Sequence, residues 1–174
     1  MSETIDGYAE ALLAVLRAEG ASGADDEIFR FAQALEGNDE LRNTLSDPYV
    51  PAEKRQQIVE DLLQGKASNV ARAAVSLVVG AGRAAELPAI ARALVARGAA
   101  ESGKEVAEVR SAVALSDDQK TRLAASLKSA TGKDVDIKVT IDPSVLGGVV
   151  TTIGDTVIDG SVRSRLAQVK THLG

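Results

Sequence analysis

Chemistry at a protein site needs nucleophiles, general acids and bases, or metal ligands at workable spacing, and this 174-residue sequence is poor in all of them. It has no Cys and a single His, His172, so thiolate nucleophiles, disulfides, Cys-ligated zinc and His-cluster metal sites are excluded. No Ser or Cys nucleophile motif accompanies His172, which leaves it without a catalytic role. Asp134 and Asp136 fall on one face of a predicted strand and resemble half of a metal or glycosidase pair, but no further carboxylate or His completes the set. Strand alternation accounts for both. Gly65-Lys66 resembles the end of a phosphate-binding loop, yet that motif needs Gly where Glu60 stands and Ser or Thr where Ala67 stands. Gly80-Ala81-Gly82 lies between two predicted helices rather than after a strand, so it reads as a helix stop and not as a dinucleotide fingerprint. Gly147-Gly148 and Gly154-Asp155 read as tight turns that let strands pack closely. No cofactor and no metal is expected. The candidate that survives is a surface: the first and fifth predicted helices are aliphatic on several sides, and if not simply buried they would line a groove that accepts an amphipathic helix from another chain.

The elements that must present this surface can be read from the apolar periodicity. Ile5, Tyr8, Ala9, Leu12, Val15 and Leu16 recur at helical steps and predict a helix over 4–19, closed by Gly20. Asp25-Asp26-Glu27 suit a helix amino terminus and open a second stripe of Ile28, Phe31, Ala32 and Leu35. A short third helix carries Leu41 and Leu45. Pro51 suits the first turn of a fourth with Ile58, Val59, Leu62 and Leu63. A fifth spans about 68–79 and a sixth about 84–99. After Gly103 the period changes to two: Ala107, Val109, Val113 and Leu115 predict a strand. Ser116 and Gln119 fit a capping box for a helix through Leu123 and Leu127 to Gly132. Val135, Ile137, Val139 and Ile141 alternate without a miss, and Val149 to Ile153 with Thr156 to Ile158 read as a hairpin across Gly154-Asp155. Val162, Leu166, Val169 and Leu173 predict a terminal helix. The expected fold is α+β in two domains, a six-helix bundle over 1–102 followed by a small α/β domain over 103–174.

Charge and aromatic content divide the chain in the same way. Residues 1–60 hold 13 acidic and 5 basic side chains, and the rest hold 12 and 15. The net charge of −5 argues against nucleic acid as a partner, and all four aromatics, Tyr8, Phe29, Phe31 and Tyr49, lie in the first 49 residues, so base stacking has nothing to work with beyond them. The amino-terminal residues are acidic, without signal-peptide character. The apolar run Ala73 to Gly82 is 10 residues long, about half of what a bilayer crossing requires. Membrane association is therefore expected only through a partner.

The carboxy-terminal run from Ile141 to Leu166, with Gly147-Gly148, Gly154-Asp155, Asp159 and Ser161 inside it, closely resembles the hallmark of the delta subunit of bacterial F-type ATP synthase, whose mitochondrial counterpart is the oligomycin-sensitivity-conferring protein. Tyr8-Ala9, Leu45-x-x-Pro48 followed by Lys54, Gly82-Arg83 and Val109-x-Ser111-Ala112-x-x-Leu115-Ser116 fall in the order of that family. The sequence departs from the family pattern at Asp6-Gly7 and Gly80-Ala81. The resemblance implies a non-catalytic peripheral-stalk subunit. Its helical domain would bind the amino-terminal helices of the alpha subunits in a groove containing Tyr8, Ala11 and Leu77. Its second domain, shaped by Gly147, Gly148, Gly154, Asp155, Asp159 and Ser161, would meet subunit b. It would sit peripherally on the cytoplasmic side of the bacterial plasma membrane. Without the resemblance, the residues fit equally an unrelated helical adaptor or a regulatory ligand-binding protein.

Overall fold

The structure is a computed structural model that describes residues 3–161; the predicted helix beyond Val162, and His172 with it, lie outside them. The chain forms two compact units, Met1–Gly98 and Ala99–Gly174.

The described part of the first unit is helical: α1 (Glu3–Ala18), α2 (Ala24–Glu36), α3 (Asp39–Ser46), α4 (Ala52–Leu63), α5 (Asn69–Gly80), a 3-10 turn at Ala84–Glu86, and α6 (Leu87–Glu101). Polar side chains set several of the starts. Three acids fill the first turn of α2, at the positive end of the helix dipole, and the Asn38 side-chain oxygen accepts from the Leu41 amide to open α3. Pro51 is the N-cap residue of α4, one position before the first turn in which the sequence placed it, and its carbonyl accepts from Lys54 and Arg55. Helix α4 packs on α5, α5 on α2, α2 on α3 and α1, and α3 against the 3-10 turn. Ile28, Phe29, Leu35, Leu45, Val59, Val75, Val78, Leu87, Ile90 and Leu94 are withdrawn from solvent. At roughly 1.5–3 kcal/mol per large apolar side chain, their burial is the main favourable contribution to this unit.

Arg55 is buried among them, and its Nη1 donates to the Leu45 carbonyl at 3.4 Å. Two residues expected on buried stripes are instead open to solvent: Val15 and Leu62. Helical spacing gives a direction around the axis, but whether a neighbour covers that direction is settled by packing.

The second unit is built on a four-stranded mixed sheet with the order β2-β1-β3-β4, formed by β1 (Glu105–Ser111), β2 (Val135–Ile141), β3 (Val149–Ile153) and β4 (Thr156–Asp159). β1 runs parallel to β2, with Val109 beside Val139, and antiparallel to β3, with Val109 beside Thr151. A parallel pair needs a crossover, and α7 (Asp117–Thr131) supplies it. Its capping box is present in both directions, Gln119 N to Ser116 Oγ at 3.2 Å and Ser116 N to Gln119 Oε1 at 2.9 Å. Gly132 closes the helix at φ +74°. The core is Ala107, Val109, Leu127, Val135, Ile137 and Ile153, with Leu115 and Leu123 packed against it.

The first strand is shorter than its alternation suggests. β1 stops at Ser111, whose carbonyl accepts from the Asp142 amide at 2.8 Å and whose hydroxyl accepts from the Val113 amide at 3.4 Å. The first bond is the last rung to β2, the second bends the chain away just past it, and Val113 is left 67% exposed.

Candidate functional site

Helix α1 buries Ala9, Leu12 and Leu16 and turns a second stripe outward, Gly7, Ala11, Ala14, Val15 and Ala18, at steps of three and four. None of these carries a charge. Thr4, Gly7, Tyr8 and Ala11 line an open concavity of about 310 Å³ on this helix. The small residues make the hollow: a Cβ added at Gly7 would meet nothing within 4 Å. Two cations hold this end of α1. Arg97 on α6 pairs with Asp6 at 3.3 Å, and the Arg83 guanidinium stands over the Tyr8 ring, 5.8 Å from its centroid.

Helix α5 is fixed by polar contacts along its packed side. Its N-cap hydroxyl, Ser68 Oγ, accepts from the Ala71 amide at 3.2 Å, while the Glu27 carboxylate on α2 accepts from both Ser68 N and Ser68 Oγ at 2.8 and 2.7 Å. Farther along, Gln56 Nε2 on α4 donates to the Ser76 carbonyl at 3.2 Å and Ser76 Oγ donates to Glu60 at 3.0 Å. A Cβ at Gly80 would sit 2.4 Å from Gln56 Nε2, the movable end of that side chain. With that side committed, Asn69, Ala73, Leu77 and Ala81 face outward at four-residue spacing. Leu77 is 57% exposed, the one large aliphatic side chain on that face.

Of the three groove residues expected from the sequence, the structure brings Tyr8 and Ala11 together in the concavity and places Leu77 on the outward stripe of α5, outside the concavity's lining. Arg83, just past the end of α5, reaches the Tyr8 end of α1, a contact not expected from the sequence. Its signal was available: a cation directly after a helix-ending glycine, with Glu86 three residues on.

In the second unit, Gly147 and Gly148 have φ of +63° and +74°. A Cβ on Gly148 would lie 2.5 Å from the Gly160 carbonyl oxygen, so the β2–β3 loop and the chain after β4 touch backbone to backbone. The Gly160 amide donates to the Val149 carbonyl at 2.9 Å, and the buried Ser161 donates its amide to Asp159 Oδ1 at 2.9 Å. Gly154, at φ +56°, and the exposed Asp155 form the two-residue turn between β3 and β4. The Asp142 carboxyl is held below the ordinary aspartate range, chiefly by bonds from the Ser144 hydroxyl and amide at 2.6 and 2.9 Å, with Arg110 adding a smaller attraction. Among the described residues no group of three or more His, Cys, Asp or Glu is placed to hold a metal ion, and no helix is long and apolar enough to cross a membrane.

Fold and surface together define an α+β protein of two units, one helical with outward aliphatic stripes and one a small mixed sheet drawn tight by glycine contacts. Residues 5–173 match the model of the ATP synthase delta (OSCP) subunit family. The chain is 38% identical over 178 residues to ATP synthase subunit delta of Salinispora arenicola, which covers 99% of this chain and 65% of the relative. It is 39% identical over 165 residues to the subunit delta of Nocardia farcinica, covering 94% and 61%, and 36% identical over 157 residues to ATP synthase subunit b-delta of a Mycobacterium species, covering 90% and 35%. The chain thus spans about two thirds or less of the length of these relatives. In fold it is similar to a chain of the Toxoplasma gondii mitochondrial ATP synthase hexamer, with a TM-score of 0.57 at 22% identity over 99% of this chain and 98% of that one. The chain belongs to the ATP synthase delta (OSCP) subunit family.

Proposed function

We propose that this chain is a stator subunit of an F-type ATP synthase: it fastens the catalytic head to the peripheral stalk and performs no chemistry itself. Family membership along residues 5–173 carries the reading. The surface agrees with it, because uncharged, solvent-facing helix stripes serve association better than reaction. Rotary coupling requires the head to stay still under torque, and the attachment must release slowly. Nanomolar affinity corresponds to about 12 kcal/mol, a value that aliphatic helix burial at about 25 cal/mol per Å² reaches only over an extended contact.

In this reading helices α1 to α6 form the family's six-helix bundle. The stripes of α1 and α5, with Tyr8, Ala11 and Leu77, receive an alpha-subunit amino-terminal helix, and the second unit meets subunit b. A relative named b-delta, in which both designations belong to one protein, supports the second assignment. Gly147, Gly148, Gly154, Asp155, Asp159 and Ser161 shape that unit rather than touch a partner chemically. The complex would hold the chain on the cytoplasmic side of the membrane. Calorimetry with a peptide of the alpha-subunit amino-terminal helix tests the groove: Leu77→Asp should weaken binding more than about tenfold, since a buried unpaired carboxylate is costly. Unchanged affinity removes Leu77 from the groove. Depleting the chain from membranes should uncouple ATP hydrolysis from proton pumping while the released head still hydrolyses ATP.

A further inference from the structure

We infer that Arg83 is the positioning residue of the groove: its guanidinium fixes the Tyr8 ring and so sets the occupied end of α1 against the end of α5, a role that rests on the groove reading above. Three contacts hold it in place. The chain leaves α5 through Gly82 at φ +76°, with the Gly82 amide donating to Val79 O and the Arg83 amide to Val78 O at 3.0 and 3.1 Å, which orients residue 83 relative to the helix axis. Its Nη1 donates to both carboxylate oxygens of Glu86 at 2.8 and 3.1 Å, so the adjoining 3-10 turn restrains the guanidinium. Its Cζ lies 5.8 Å from the Tyr8 centroid.

A guanidinium over an aromatic face is attracted by the negative centre of the ring, weakly in water and more strongly once water is excluded. Tyr8 is half-buried and lines the concavity, and the Arg83 side chain is 38% exposed. In the free protein the pair is therefore still wet. A helix seated on Thr4, Gly7, Tyr8 and Ala11 would dehydrate the ring and strengthen the contact in the bound state. Loss of Arg83 should accordingly weaken affinity more than it weakens the fold. Lys keeps the charge but lacks the planar fork that engages Glu86 and lies flat on the ring, so it should restore only part of the effect.

The test uses the full chain with 3-fluorotyrosine at Tyr8 and Tyr49, the Tyr49 resonance being assigned with Tyr49→Phe, together with calorimetry against the alpha-subunit amino-terminal peptide. Arg83→Gln should shift the Tyr8 fluorine resonance, leave that of Tyr49 in place, and lower affinity about 5- to 13-fold, the factor matching the roughly 1–1.5 kcal/mol by which such a contact strengthens on losing water. Arg83→Lys should fall between Gln and wild type in both readouts, with little change in melting temperature. An unmoved Tyr8 resonance or wild-type affinity in Arg83→Gln overturns the inference, as does equal loss in both variants in step with the melting temperature. If Arg83→Gln does not fold, Arg83→Lys decides, and a resonance and affinity identical to wild type overturn the proposal. A wild-type chain that does not bind the peptide defeats the groove reading instead, and the Tyr8 resonance still decides whether Arg83 sets the ring.

Discussion

In the helical unit, three of the four glycines with positive φ at helix ends, Gly20, Gly23 and Gly65, have open space where a Cβ would go, the fourth, Gly82, meets only Arg55 Nη1 at 3.8 Å, and the packing is done by aliphatic side chains. In the sheet unit, Gly148 combines a positive φ with a backbone oxygen 2.5 Å from that same point. The contrast teaches where each unit is free to vary. Helix α1 can change its outward residues without disturbing its core, so that surface can be shaped for a partner. At Gly148 the backbone itself is the contact, and the residue is committed to the fold.

The largest effect that follows is at Gly148. Gly148→Ala should cost about 4 kcal/mol, from roughly 1–3 for the left-handed backbone and a similar amount for the overlap with Gly160. Urea unfolding followed by far-UV circular dichroism measures it. Because all four aromatics lie in the first unit, tyrosine fluorescence reports that unit separately. A matching loss in Gly103→Ala, where φ is +68° but nothing lies within 4 Å, would break the comparison, since there only backbone strain is at stake.

Next comes Leu45→Ala, a fully buried site, expected to cost about 3 kcal/mol by thermal unfolding. Leu77→Ala should stay within about 0.5 kcal/mol of wild type by the same measurement, as its side chain already faces water. Equal losses at the two positions would erase the distinction between core and stripe. Ser116→Ala, which removes one half of the α7 capping box, should cost about 1 kcal/mol.

The smallest effect is at Asp142. Its folded pKa is lowered from that of an ordinary aspartate, so its contribution is fully present above the unfolded aspartate pKa and is lost as pH falls through the folded value. NMR titration should find the Asp142 carboxyl protonating at lower pH than an ordinary aspartate, and Ser144→Ala should move it back up.

Much of this was legible in the sequence. The unbroken alternation of Val135 to Ile141, the capping box at Ser116 and the glycine turn at Gly154 are local signals, and each leads to the element observed. The hallmark glycines could be singled out, but the reason for Gly148 could not, because Gly160 meets it only after two strands have folded back. Strand order is equally hidden: no local pattern shows that β1 lies between β2 and β3. At the groove, helical spacing found Tyr8 and Leu77 as apolar positions. It could not separate the covered ones from the exposed ones, and the place of Arg83 over Tyr8 is visible only in the folded chain.

The placing of β1 has a consequence for synthesis. It is the first strand of its sheet to leave the ribosome, and both of its neighbours come later, the last paired residue being Ile153. At about 5–20 residues per second, the emerging strand waits roughly 1.5–6 seconds with both edges unsatisfied until β2 is out, and roughly 2–8 seconds before β3 can cover the second edge. During that interval it is the segment of the nascent chain most open to mispairing, and a holding chaperone that recognises extended apolar segments would find its opportunity there rather than in the helical half.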